Sequence, residues 1–281
     1  MASRTSSGCS IDLGDWMSLE AALPRPTRLS IGRVLGDSIG ILARNAVWLL
    51  AISCAARIGV LLVPADDVVP LSWYRELLDD LAHALASALS DALIILGVMQ
   101  ILRGRRASIR DATAGLRYLV PVMIVTLVCG LPWTLSIFVE MLWESGSDTE
   151  SFARWLVVYA LAIALFVPLA VATQATVIEG LGALAGLVRS VHLTRGRRWA
   201  IFGVTMIPLI VTYTLYVGSR LPGIIWPDLD ASQVSTAEDA VDYLISALSL
   251  AYFSVQTTVL HYYLRREKEG VESGEVAHVF D

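Results

Sequence analysis

The chain has 281 residues, of which 56% are hydrophobic and only 17% charged, with a mean hydropathy of +0.64. That balance excludes an ordinary soluble domain and predicts a polytopic membrane protein. A net charge of −5 gives no global basis for nucleic-acid binding, and three cysteines without a CxxC indicate neither a zinc site nor a disulfide framework.

Residues 1–29 hold no apolar run long enough for a signal-peptide core. They predict a disordered cytoplasmic tail, with targeting left to the first transmembrane helix. The stretch from Ser30, "SIGRVLGDSIGILARN", follows. Ile31, Val34, Leu35, Ile39 and Leu42 recur at helical spacing, with Arg33 and Asp37 on another face. Such a helix lies in the interface, its arginines toward anionic headgroups.

Six apolar segments are predicted next, at 45–63, 81–102, 118–142, 155–178, 199–217 and 241–264. Each is close to the ~20 residues that cross a ~30 Å hydrocarbon core. Without water to satisfy the backbone, each must be helical. The connecting loops alternate in charge. One set, with the two end segments, carries 17 of the 21 basic residues, including Arg103, Arg105, Arg106, Arg110 and Arg117, then Arg189, Arg195, Arg197 and Arg198. The opposite set carries acids such as Asp66, Glu144, Asp228 and Glu238. The positive-inside rule then puts both termini in the cytoplasm. Trp48, Trp73, Trp133, Trp143, Trp155, Trp199 and Trp226 lie near segment ends, as interfacial anchors.

The basic amphipathic stretches begin at Ser30, Ser108 and Ala183, 78 and 75 residues apart, and each leads into a helical hairpin. This spacing suggests a threefold repeat. In the third, Leu184, Leu187, Val188, Val191 and Leu193 form an apolar stripe, and Gly196 suits a helix stop. Arg197 and Arg198 hold the chain on the cytoplasmic side, and Trp199 marks the interface. Aromatic interleaving of the kind a nucleic-acid patch needs is missing.

Ionisable groups within the apolar segments are the best pointers to function. Arg57 and Asp91 fall about 20 Å and 18 Å from the ends of neighbouring antiparallel helices. They predict an intramembrane ion pair, either fixing helix register or relaying a proton or substrate. Glu179 ends the fourth segment and is placed to pair with Arg189 or Arg195. His83, Gln174, Gln256 and His261 are the other polar residues of note. His83 and His261 lie near opposite surfaces, so no shared metal site is expected. The sequence contains no zincin motif, GxSxG elbow or P-loop, so no catalytic residue and no cofactor is assigned. The glycines of "EGLGALAG" suit close helix packing, and Pro121, Pro132, Pro168, Pro208 and Pro222 predict kinks or helix ends.

The run "VIEGLGALAGLVRSVHLTRGRRWAIFG" and the closing "TTVLHYYLRREKEG" resemble bacterial proteins of the glycerophosphoryl diester phosphodiesterase membrane-domain family. The matching positions are Glu179, Gly180, Gly182, Arg189, Ser190, Leu193, Thr194, Arg195, Gly196, Arg198 and Trp199, then Tyr262, Tyr263, Leu264, Arg265, Lys268, Glu269 and Gly270. Members that give the family its name are fused to a soluble phosphodiesterase barrel, for which the six segments leave no room. The resemblance therefore implies a membrane bundle in a bacterial inner membrane, without phosphodiesterase activity.

The expected architecture is an all-α, six-helix transmembrane bundle over residues 30–266 with cytoplasmic interfacial helices and a cytoplasmic tail at 267–281. The first functional expectation is a non-enzymatic component that interacts with anionic lipid at the cytoplasmic face, through Glu179, Arg189, Arg195, Arg197 and Arg198, or with a protein partner that the sequence does not name. The alternative is a small-molecule or lipid transporter, which requires a polar site near the midplane. An intramembrane enzyme ranks last, because it requires polar groups clustered at one depth.

Overall fold

The computed structural model describes residues 29–58, 72–104, 109–142, 157–158, 160–221 and 231–269. The helices are α1 (Ile31–Arg44), α2 (Ala46–Arg57), α3 (Ser72–Leu102), α4 (Ile109–Gly115), α5 (Leu119–Leu142), α6 (Ala160–Ile178), α7 (Ala183–Thr194), α8 (Arg198–Ser219) and α9 (Ala231–Glu269). There is no strand among the described residues, and the chain is an all-α helical bundle. The tails at 1–28 and 270–281, the predicted anchors Trp143, Trp155 and Trp226, and most of the acidic loops lie outside the described residues.

Five helical stretches are long and apolar enough to cross a membrane: Leu81–Leu102, Thr113–Leu131, Ala160–Ile178, Arg198–Ser219 and Ala240–Glu269. The first predicted segment is different. Its described part, α2, has 12 residues, about 18 Å of helix, which is short of a full crossing. It joins α1 at a bend of 88°, and the pair counts as a sixth span only when taken together. Asn45 builds the bend: its backbone leaves the helical region, its side-chain amide donates to Ile41 O at 2.9 Å, and its Oδ1 accepts from Trp48 Nε1 at 3.2 Å.

The three basic amphipathic stretches are helical at α1, α4 and α7, and each precedes two further helices. α9 is the central pillar. Ala247, Ala251, Val255, Val259, Leu260 and Leu264 are buried along it, and one core joins it to Val34 of α1, Leu49 of α2, Ile94 and Val98 of α3, Leu193 of α7 and Ile201 of α8. Outward positions carry apolar residues too. Val120, Ile124, Leu127 and Leu131 form an exposed row on α5, which in a bilayer faces lipid. Helix α4 approaches α3 so closely that a Cβ on Gly115 would fall 1.5 Å from Ala92 O.

The C-terminal boundary needs correction. Helix α9 runs to Glu269, and Glu267 accepts from Leu29 N at 3.3 Å, so residues 267–269 belong to the bundle and not to a tail. Packing of this end against α1 and α7 is what extends the helix.

Candidate functional site

Helix α6 is broken at Pro168. A 3-10 turn spans Val167–Leu169, and regular helix resumes only at Ala172. The freed backbone groups need partners in a membrane interior. Helix α7 supplies them. Ser190 Oγ donates to Pro168 O at 2.9 Å and accepts from Val171 N at 3.3 Å, while Thr194 Oγ1 lies 3.2 Å from the same carbonyl. Gly186 lets the helices approach, since a Cβ there would meet Thr176 Oγ1 at 2.0 Å. The buried face of α7 is therefore Gly186, Ser190, Leu193 and Thr194. The predicted stripe of Leu184, Leu187, Val188, Val191 and Leu193 divides: Leu193 is buried, but Leu184 is 77% and Val188 71% exposed. Small and hydroxyl residues win the packed face because the broken helix beneath them needs donors and space, not apolar bulk.

Beyond this joint lies an ionic cluster. Arg189 Nε donates to Glu179 Oε2 at 2.7 Å, and its guanidinium also meets Glu269. His261 Nε2 faces Glu179 Oε1 at 3.2 Å. Arg265 pairs with Glu269 at 3.0 Å, and Arg197 pairs with Glu267. Lys268 Nζ donates to His192 O at 2.6 Å and to Arg195 O at 2.8 Å, capping the end of α7. Burial opposes ionisation of Glu179, but hydrogen bonds and charge from His261 and Arg189 outweigh it and hold the carboxyl below its ordinary range. Of the five predicted interfacial residues, Glu179, Arg189 and Arg197 are thus tied into the fold. Arg195 and Arg198 are exposed, as is Trp199 at 85%.

The predicted Arg57–Asp91 ion pair does not form. Arg57 meets His83 at 3.0 Å, and Asp91 accepts from Ser254 of α9. The physical reason is register. Ser53 and Ser90 hydrogen-bond across α2 and α3 at 3.2 Å, which leaves Arg57 one turn further along α2 and directed away from Asp91. His83 lies eight residues from Asp91 on α3, about 12 Å along the axis.

Asp91 instead opens on a cavity of about 170 Å³ between α3, α5, α6, α8 and α9. It lies near mid-span: about 16 Å from Leu102 at Asp91 and about 10 Å from Arg198 at Thr205. Ten of its lining residues are polar or sulfur-bearing: Ser87, Asp91, Thr126, Cys129, Thr173, Gln174, Thr205, Ser254, Gln256 and Thr257. Phe166, Leu169, Ala170, Leu250 and Phe253 complete the wall. Gln174 Nε2 donates to Thr257 Oγ1 at 2.6 Å, tying α6 to α9. Gln256 Nε2 donates to Val204 O at 2.6 Å. The usual partner of that carbonyl would be the backbone N–H four residues on, and Pro208 has none. The glutamine therefore satisfies the carbonyl that Pro208 leaves unpaired within the continuous α8. Its Oε1 and the Thr126 hydroxyl are buried without a hydrogen-bond partner among the described residues.

Sequence reading picked out Asp91, Gln174 and Gln256 singly but not the cluster. Ser and Thr are common in membrane helices, where they often bond their own backbone, as Thr205 does to Ile201 O at 3.0 Å. Among the described residues no group of three His, Cys, Asp or Glu side chains is placed to hold a metal ion.

The five to six apolar spans define the class: a polytopic α-helical membrane protein. Comparison with family models, curated proteins and solved structures gives no match that would narrow the class.

Proposed function

We propose that the protein binds a small polar solute in the mid-span cavity and carries it across the membrane. The single observation behind this reading is the cluster of polar side chains, contributed by five helices, around about 170 Å³ of space. Burying polar groups at that depth is costly unless they are satisfied, and such groups in a membrane usually mark a solute or ion path. The broken helix α6 lines the cavity, as interrupted helices do in carriers that bind at the midplane. Carriage needs no bond chemistry, and the reading is non-enzymatic.

The carrier sits in a bacterial inner membrane with both ends cytoplasmic, a placement supported by the arginine distribution and by the resemblance carried by Glu179 to Trp199. Uptake of radiolabelled small amines, polyols and carboxylates into proteoliposomes tests the function. At least one class should enter faster than into protein-free vesicles, and Thr173→Trp, which fills the cavity, should abolish the difference. Equal entry for every class with and without protein refutes carriage.

The exposed apolar face of α7 favours a second, compatible role. Leu184, Val188 and Trp199 are all exposed, and Arg195 and Arg198 are exposed and outside the ion cluster. This surface suits the headgroup region of an anionic leaflet. Vesicles containing phosphatidylglycerol should stabilise the protein more than phosphatidylcholine alone, and Arg195→Gln with Arg198→Gln should remove that gain. An equal gain in the double variant contradicts it.

A further inference from the structure

We infer that the cavity solute is a small organic cation bearing N–H donors, a protonated amine, bound between Asp91, Gln256 and Thr126. This inference rests on the solute-binding reading above and specifies the chemistry of the ligand.

The charge balance comes first. Among the described residues, Asp91 is the single carboxylate of the lining, and no arginine, lysine or histidine lines the cavity. The basic group once expected to neutralise Asp91 is engaged elsewhere: Arg57 is directed to His83. Among the described residues Asp91 has no cationic partner; its hydrogen bond comes from the neutral Ser254 hydroxyl. A carboxylate in such a place favours a ligand of opposite charge.

The hydrogen-bonding sense comes second. The side-chain amide of Gln256, which is 1% exposed, is oriented by the need of Val204 O for a donor, a need created by Pro208. One N–H of its NH2 is thereby committed to the protein and its Oε1 is left as an acceptor. That oxygen has no partner, and neither does Thr126 Oγ1. Gln174 likewise donates to Thr257. Each glutamine amide thus gives an N–H to the protein, while two acceptors, buried in residues of the cavity wall, have no donor among the described residues. An ammonium group is the complement, since it offers up to three donors and no acceptor.

Size comes third. A dry cavity of about 150 Å³ holds a six-membered ring. The present volume of about 170 Å³ therefore takes a solute of roughly six or seven heavy atoms. Phe166 and Phe253 in the wall give its carbon skeleton an apolar surface and its charge an aromatic one.

Thermal unfolding of the full-length protein in nanodiscs tests this directly. The probes are butylammonium and cyclopentylammonium, their neutral alcohol counterparts, butyrate, and sodium or potassium chloride at matched ionic strength. The amines should raise the midpoint in a saturable way and the other probes should not. Asp91→Asn should weaken amine binding by tenfold or more. Thr126→Val offers a control for folding, since it removes a hydroxyl that has no partner. It should unfold no earlier than the unsubstituted protein, yet bind amine severalfold more weakly. A saturable response to the alcohols or to butyrate, but not to amines, overturns the cation assignment and leaves solute binding standing. A response to sodium or potassium alone overturns the amine in favour of a metal cation. Silence from every probe refutes both the assignment and the solute-binding reading beneath it.

Discussion

The joint between α6 and α7 gives the sharpest stability prediction. Ser190→Ala removes the donor to Pro168 O and the acceptor for Val171 N together. Pro168 O keeps Thr194 Oγ1 at 3.2 Å. Val171 is fully buried, so its N–H is left without a partner. An orphaned buried donor costs about 1–3 kcal/mol. An interhelical side-chain bond in a membrane is worth on average only about 0.6 kcal/mol, because the unfolded helices find other partners. The two figures together place the loss at about 2 kcal/mol, or roughly a thirtyfold shift in the unfolding equilibrium. Thr194→Val, which leaves Ser190 in place, should cost less than about 1 kcal/mol. The double variant should exceed the sum of the singles, since Pro168 O then loses both donors. Steric-trapping or SDS titration in bicelles measures all three. A Ser190→Ala loss below about 0.5 kcal/mol, or a Thr194→Val loss larger than it, refutes this account of the joint.

Three further outcomes follow from the same contacts. Gly186→Ala should destabilise by about 1–3 kcal/mol, because the new methyl meets Thr176 Oγ1, and adding Thr176→Ala should recover part of the loss in the same titration. Gln256→Leu should cost about 1–3 kcal/mol by orphaning Val204 O, whereas Gln256→Leu with Pro208→Ala should cost less, since a backbone N–H is restored to that carbonyl; an additive double variant contradicts the pairing. The depressed pKa of Glu179 fixes a sign with pH: its contribution is complete above the ordinary carboxylate value of 4.5 and is lost as pH falls through the lower folded value. Unfolding titrations from neutral to acidic pH should therefore show a loss that Glu179→Gln lacks, and an identical profile for the two contradicts it.

Hydropathy marks five of the six expected spans, because lipid leaves a backbone no choice but a helix and tolerates few charges along it. α1 was equally legible from Ile31, Val34 and Leu35 at helical spacing. Arg57 and Asp91 show where such reading stops. Distance from the helix ends puts them at similar depth, but the Ser53–Ser90 contact sets the register, and Arg57 lies one turn beyond it, apart from the carboxylate of opposite charge. Helix α7 misled for a different reason. In water an apolar stripe seeks the protein interior, but at a membrane surface Leu184 and Val188 can face lipid while Ser190 and Thr194 turn inward to mend the break at Pro168. The polar cavity was hidden because its members are dispersed from Ser87 to Thr257. A sequence signal did exist: Pro208 leaves the carbonyl of Val204 unpaired, and Gln256 is a mid-span amide able to serve it. The arginine-rich stretch around Arg189 reads differently once packed. Glu179, Arg189, Ser190 and Thr194 hold α7 to α6 and α9, while Arg195, Arg198 and Trp199 are exposed.

Cys129 lines the cavity and serves as a reporter of whether water-borne solutes reach it. With Cys9→Ser and Cys54→Ser in place, a small ammonium-bearing methanethiosulfonate applied to the protein in native membranes measures this most directly. The account predicts that Cys129 reacts in the folded protein and that saturating butylammonium slows the reaction. Labelling that occurs only after denaturation would contradict it.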